Sequence, residues 1–143
     1  MVNIDEYKAN IRDFIKRQGF SCIYLISCDK GIPTKIGVAS DICARLTSIQ
    51  TGNWVKLGLK YIIWLPGKAA SDRVEAELHR RYSEYKICGE WFDLDCTSLE
   101  GEIEIVARLL YPSLILVTHS EMIKYAMKKI DNRVDRILAR MGL

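Results

Sequence analysis

Nowhere does this sequence string together the ~20 apolar residues that a helix needs to span a bilayer. Its first residues, Met1-Val2-Asn3-Ile4-Asp5-Glu6, lack the basic-then-apolar order of a secretory signal. The five cysteines, Cys22, Cys28, Cys43, Cys88 and Cys96, include no C-x-x-C pair, so zinc-like spacing is missing. Their odd number and scatter fit reduced intracellular thiols. A soluble, cytoplasmic protein is the expectation. Internal repeats and low-complexity tracts are missing too. So is a strong charge of one sign: a net charge of +3 is too mild to announce a nucleic-acid binder, and local placement of charge must carry that argument. What remains is apolar material. The 143 residues, 49% of them hydrophobic, suffice for one compact domain and are too few for two.

Ile4, Tyr7, Ile11, Phe14 and Ile15 recur at helical spacing, which predicts an amphipathic helix over residues 4–17 that ends at Gly19. Residues 21–27 are β-branched and aromatic, and Asp29-Lys30-Gly31-Ile32-Pro33 reads as a turn into a returning strand over 34–38. Ser40 is a credible N-cap for a helix with Ile42, Leu46 and Ile49 inward. Thr51-Gly52-Asn53 ends that helix, and residues 57–65 form a third strand, apolar enough to be interior. A helix follows over 72–85 with Val74, Leu78, Tyr82 and Tyr85 inward. Trp91-Phe92-Asp93-Leu94 is extended, and Thr97 to Glu100 opens a helix that buries Leu99, Ile103, Val106 and Leu110. Thr118 to Glu121 is a second capping box. The helix it opens places Ile123, Met127, Ile130, Val134, Ile137 and Met141 at alternating spacings of four and three, a heptad seam able to pair with a second copy or to lie on the domain itself. The organisation is an N-terminal helix (1–20), a central domain (21–111) and a C-terminal helical extension (112–143).

Residues 23–93 also hold, in fixed order, Tyr24, the triplet Lys35-Ile36-Gly37, Arg45, Glu75 with His79 four residues on, and Gly89-Glu90-Trp91-Phe92. Taken singly each has an ordinary reading: a core aromatic, a solvated edge lysine, an exposed helix arginine, a capping glutamate, a packed imidazole. Together they resemble the GIY-YIG nuclease superfamily, in its phage-associated branch with KIG as second triplet and a terminal GEWF, over roughly residues 21–110. The resemblance implies an α/β (α+β) domain with a three-stranded, mostly antiparallel sheet flanked by helices. It implies metal-dependent endonucleolytic cleavage of DNA with one magnesium or manganese ion.

In that family the first tyrosine helps deprotonate the attacking water, the helix arginine contacts the scissile phosphate and a helix glutamate holds the metal. Tyr24, Arg45 and Glu75 match these positions, with His79 assisting proton transfer or orienting Tyr24. Glu77 competes with Glu75 for the metal role but lies about 200° around the helix from it. Lys35 stands where the superfamily places a tyrosine. A nearby ammonium favours an ionised phenol, and bringing Tyr24 to a pKa of about 8 would take roughly 3 kcal/mol of differential stabilisation. Alternatively Lys35 is itself the base. Either way the two must share a face of the hairpin, and a one-residue slip reverses the faces. The family's late asparagine is also missing, and Glu90 is the best candidate to replace it. One carboxylate is a thin shell, so phosphate oxygens and waters would complete the octahedron.

Lys30, Gln50, Asn53 and Lys56 are candidate nucleic-acid contacts around the hairpin and first helix, with Lys35, Arg45, Lys60, Arg80 and Arg81 in reach of phosphates. Trp54 could stack on a base. A homodimer through the C-terminal helix is open. The rival reading is a non-catalytic nucleic-acid-binding or dimerisation module that keeps the fold.

Overall fold

Strand β1 (Ser21–Ser27) is buried at every position, as happens when both faces of a sheet are covered. In this computed structural model, which describes residues 2–4 and 7–142, β1 pairs antiparallel with β2 (Thr34–Ala39) on one side and β3 (Gly58–Leu65) on the other. Three short strands extend the sheet: β4 (Lys86–Cys88), β5 (Trp91–Phe92) and β6 (Val117–Thr118). The order is β4-β5-β2-β1-β3-β6, every pairing antiparallel. The sheet therefore has six strands, not the three expected. The added ones are two or three residues long, too short for a period-two pattern to show.

Alternation along β1 sends Cys22, Tyr24 and Ile26 into one apolar cluster and Ile23 and Leu25 into another. Helices α1 (Ala9–Arg17), α2 (Ile42–Thr51) and the forward half of α5 (His119–Arg140) cover the first face; α3 (Lys68–Arg81) and α4 (Cys96–Leu110) cover the second. The terminal helices are thus part of the packing around the sheet. α1 begins at Ala9 rather than residue 4, and residues 5 and 6 of the expected helix lie outside the described residues.

Three further helix starts differ from expectation. Asp41, not Ser40, caps α2: its carboxylate accepts the Ala44 N–H at 3.1 Å and is held by Arg12 at 2.9 and 3.1 Å. Burial works against its charged form, yet the Arg12 guanidinium and the Ala44 N–H outweigh this and keep the carboxyl below its usual range. Asp95, not Thr97, caps α4 through the Thr97 N–H at 2.8 Å. α3 starts at Lys68 behind Gly67, and Asp72 lies inside it, paired with Lys68 at 2.6 Å. Tyr85, expected inward, sits in a 3-10 turn and is exposed.

The Thr118–Glu121 capping box forms as read. α5 then docks through His119, Met122, Ile123 and Ala126, and His119 Nδ1 accepts the Trp64 Nε1–H at 3.1 Å. The heptad seam divides: Ile123 and Ile130 pack on the core, while Met127, Val134, Ile137 and Met141 face solvent. No helix among the described residues is long and apolar enough to cross a membrane, and all five cysteines are free thiols.

Tyr24 pairs with Gly37, and a β-carbon at Gly37 would overlap the Tyr24 ring and hydroxyl. Gly37→Ala should therefore lower unfolding stability by about 1–3 kcal/mol in urea titrations, the usual cost of overpacking. Gly101→Ala, in open space within α4, should instead raise it by up to about 1 kcal/mol through helix propensity.

Candidate active site

Strand β5 covers the outer edge of β2 only at Thr34 and Lys35, with one further bond from the Ile36 N–H to the Glu90 carbonyl at 3.0 Å. Among the described residues no strand lies beside residues 37–39 on that edge. The gap is the floor of an open cleft of about 540 Å3, with α2 on one side and α3 on the other. Arg45 and Ser48 line it from α2, Lys68, Asp72 and Glu75 from α3, and Glu90 from the β4–β5 turn.

The register decides the question the sequence left open. Tyr24 opposes Gly37, and Lys35 stands two residues from Gly37, so Tyr24 and Lys35 share a face. Tyr24 is fully buried, with its hydroxyl accepting the Arg45 Nε–H at 3.2 Å. Burial pushes the phenol up to about 12, although Arg45 pulls the other way. The lowered pKa imagined for Tyr24 is thus not what the site produces: desolvation outweighs the cation. Lys35 Nζ lies 2.7 Å from Glu90 Oε2, and Arg45 Nη2 lies 3.6 Å from the same oxygen. Lys35, Glu90, Arg45 and Tyr24 therefore form one continuous chain of contacts, with Glu90 in the middle.

Glu75 stands outside that chain. It faces the cleft with neither a hydrogen bond nor an ion pair among the described residues. Burial first, then Glu90 and Asp72, push its carboxyl up to about 7 against the pull of Lys35 and Lys68. Glu77 points elsewhere and is held by Arg80 at 2.6 and 2.9 Å and by Arg81 at 3.3 Å. That geometry separates the two glutamates as the helical angle requires, and it occupies both arginines away from the cleft. Among the described residues no group of three or more His, Cys, Asp or Glu side chains converges on a metal-sized site. The donor set that could hold a divalent ion is Glu75, with Glu90 across from it: a half-buried carboxylate without an ion-pair partner among the described residues, next to a second one, is relieved by a dication.

His79 is not in the cleft lining. It donates from Nε2 to the Ile36 carbonyl at 3.0 Å and packs edge-on against Phe92, with ring centroids 4.9 Å apart, so it ties α3 to β2. Of the expected nucleic-acid contacts, Lys30 and Lys56 are exposed. Gln50 is committed to the loop after α2, donating to the Asn53 and Val55 carbonyls at 3.2 and 3.0 Å and accepting the Leu57 N–H at 2.8 Å. Asn53 borders a separate hollow of about 250 Å3. Lys60 lies near Cys96, on the α4 side of the sheet. Lys68 and Asp72 were missed as site residues. Their spacing with Glu75 is that of one helix face, visible only once the helix is started at residue 68.

The model of one family, the T5orf172 domain, matches residues 21–110. No curated protein and no solved structure matches the chain.

A carboxyl held at about 7 when folded and at an ordinary value of about 4.5 when unfolded takes up a proton on folding between those limits. The fold should lose stability as pH rises from about 4.5 to 7. Glu75→Gln should remove that component: the variant should match wild type in urea melts near the lower limit and exceed it at the slightly alkaline end.

Proposed function

Because the chain belongs to the T5orf172 domain family, which is commonly grouped with GIY-YIG-like nuclease domains, we propose that it is a metal-dependent endonuclease hydrolysing DNA phosphodiester bonds. One observation carries this reading: Arg45, Glu90 and Glu75, from three separate segments, line one open cleft, with Lys35 and Tyr24 directly behind them. Arg45 is held in place before substrate arrives, ready to donate to a phosphate oxygen.

Each residue has a defined task. The Tyr24 hydroxyl stays neutral and anchors Arg45 at Nε, so the remaining guanidinium N–H groups face the cleft and can donate to the scissile phosphate. Tyr24 is then a positioning residue. Lys35 holds one oxygen of Glu90, leaving the other to accept the proton of the attacking water. Glu75 would hold magnesium or manganese. When bound, that ion supplies positive charge to the phosphate oxygens and acidifies water. His79 keeps β2 in place through the Ile36 carbonyl, outside the chemistry.

A second reading, a non-catalytic nucleic-acid-binding module, is favoured by one feature: the phenol that would act on water in the family is sealed from solvent and held protonated. Nicking of supercoiled plasmid separates the two. Wild type with magnesium or manganese should convert supercoiled to open-circular DNA, and EDTA should stop it. Arg45→Ala should slow the reaction about 10²–10³-fold, as loss of one preorganised charge donor does, and Glu75→Ala should abolish it. Retained, salt-sensitive DNA binding by all three proteins without any nicking would leave the binding module.

A further inference from the structure

Trp54 is 96% exposed. Tryptophan is among the most buried residues on average, so an indole held wholly in water calls for a reason. The loop that carries it is not slack. The Gln50 amide makes three hydrogen bonds across it, to the Asn53 and Val55 carbonyls and from the Leu57 N–H, so the backbone that carries the indole is held at a defined place beyond the end of α2.

The neighbours of Trp54 in the chain, Asn53 and Val55, help wall the hollow of about 250 Å3, which Cys28, Pro33, Leu57 and Trp91 complete. The lining is apolar apart from the Asn53 amide and the Cys28 thiol, and it contains no carboxylate. The Asn53 side chain makes no hydrogen bond among the described residues, so its donor and acceptor are both available. Trp91 supplies a flat wall. Trp91 also connects the hollow to the cleft residues, since the Lys35 ammonium lies 5.8 Å from its ring centroid and pairs with Glu90 at 2.7 Å.

An apolar slot with an aromatic wall and one free amide has the chemistry of a nucleobase site. We propose that this hollow takes an unpaired base from the strand lying in the cleft, with Asn53 hydrogen-bonding its edge and Trp54 stacking on the neighbouring base. The preferred substrate class is then nucleic acid with unpaired bases beside the cleaved bond, such as bulges, flaps or frayed ends, rather than continuous duplex. The inference rests on the nuclease reading only in placing nucleic acid in the cleft.

The test is equilibrium binding of the full chain, in EDTA so that nothing is cut, to a labelled blunt duplex and to the same duplex carrying a short thymine bulge. Wild type should prefer the bulge by about tenfold, the scale of one stacked base. Trp54→Ala should lose that preference while keeping its affinity for blunt duplex, and Trp54→Phe should keep most of it. Asn53→Ala should weaken only the bulged complex. Equal affinity of wild type for both DNAs, or a preference unchanged in Trp54→Ala, overturns the proposal even if plasmid nicking succeeds. A Trp54-dependent preference without nicking retains it and removes only the nuclease reading. Failure to bind either DNA overturns the proposal, while plasmid nicking alone decides the nuclease reading.

Discussion

The ring of Tyr24 lies across the one residue of β2 that lacks a side chain, and the placement of Arg45, Glu90 and Lys35 follows from that contact. With Gly37 beneath it, the phenol reaches past its own strand to the flank of α2, where Arg45 Nε meets it. Arg45 is thereby oriented toward Glu90, and Glu90 in turn toward Lys35. A side chain at residue 37 would push the ring away and leave the guanidinium without its anchor. Register, burial and charge placement are one constraint here, because the pairing of Tyr24 with Gly37 also puts Lys35 on the same face.

The electrostatics divide the cleft into a settled half and an unsettled one. Around Glu90, one carboxylate faces two cations and is well compensated. Around Glu75, burial and two neighbouring carboxylates oppose ionisation, and the lysines within range do not offset them. The settled half is rigid before substrate comes, which suits the recognition of a fixed charge. The unsettled half is a local energetic deficit that a cation or a proton would relieve. The deficit lies at the position where the family resemblance expects the metal.

How far the sequence could be read depended on whether each feature is decided locally. The Thr118–Glu121 capping box lies within four residues and forms as read. The cap of α2, expected at Ser40, falls instead at Asp41, which Arg12 holds from a helix far away in the chain. The start of α3 was hidden because Pro66-Gly67 reads as a breaker and Asp72 as a cap, so Lys68 and Asp72 went unnoticed as cleft residues. Strands of two residues leave no periodic trace. At the site, the residue types and order were legible, and Glu75 was distinguishable from Glu77 by helical angle alone. The state of Tyr24 was not: its burial depends on α1 and α5 closing over the sheet face, which no local pattern encodes. Glu90 looked ambiguous because its role depends on β5 pairing with β2.

The uncovered edge of β2 has an implication of its own. Since the Ile36 N–H turns outward to Glu90, alternation turns the main-chain N–H and C=O of Val38 outward as well, onto the cleft floor. Bare strand edges invite another copy to add on and seed aggregates. This one is three residues long and lies between α2 and α3, and so short an edge is a poor template. It leaves a polar backbone rail that side-chain substitution cannot erase.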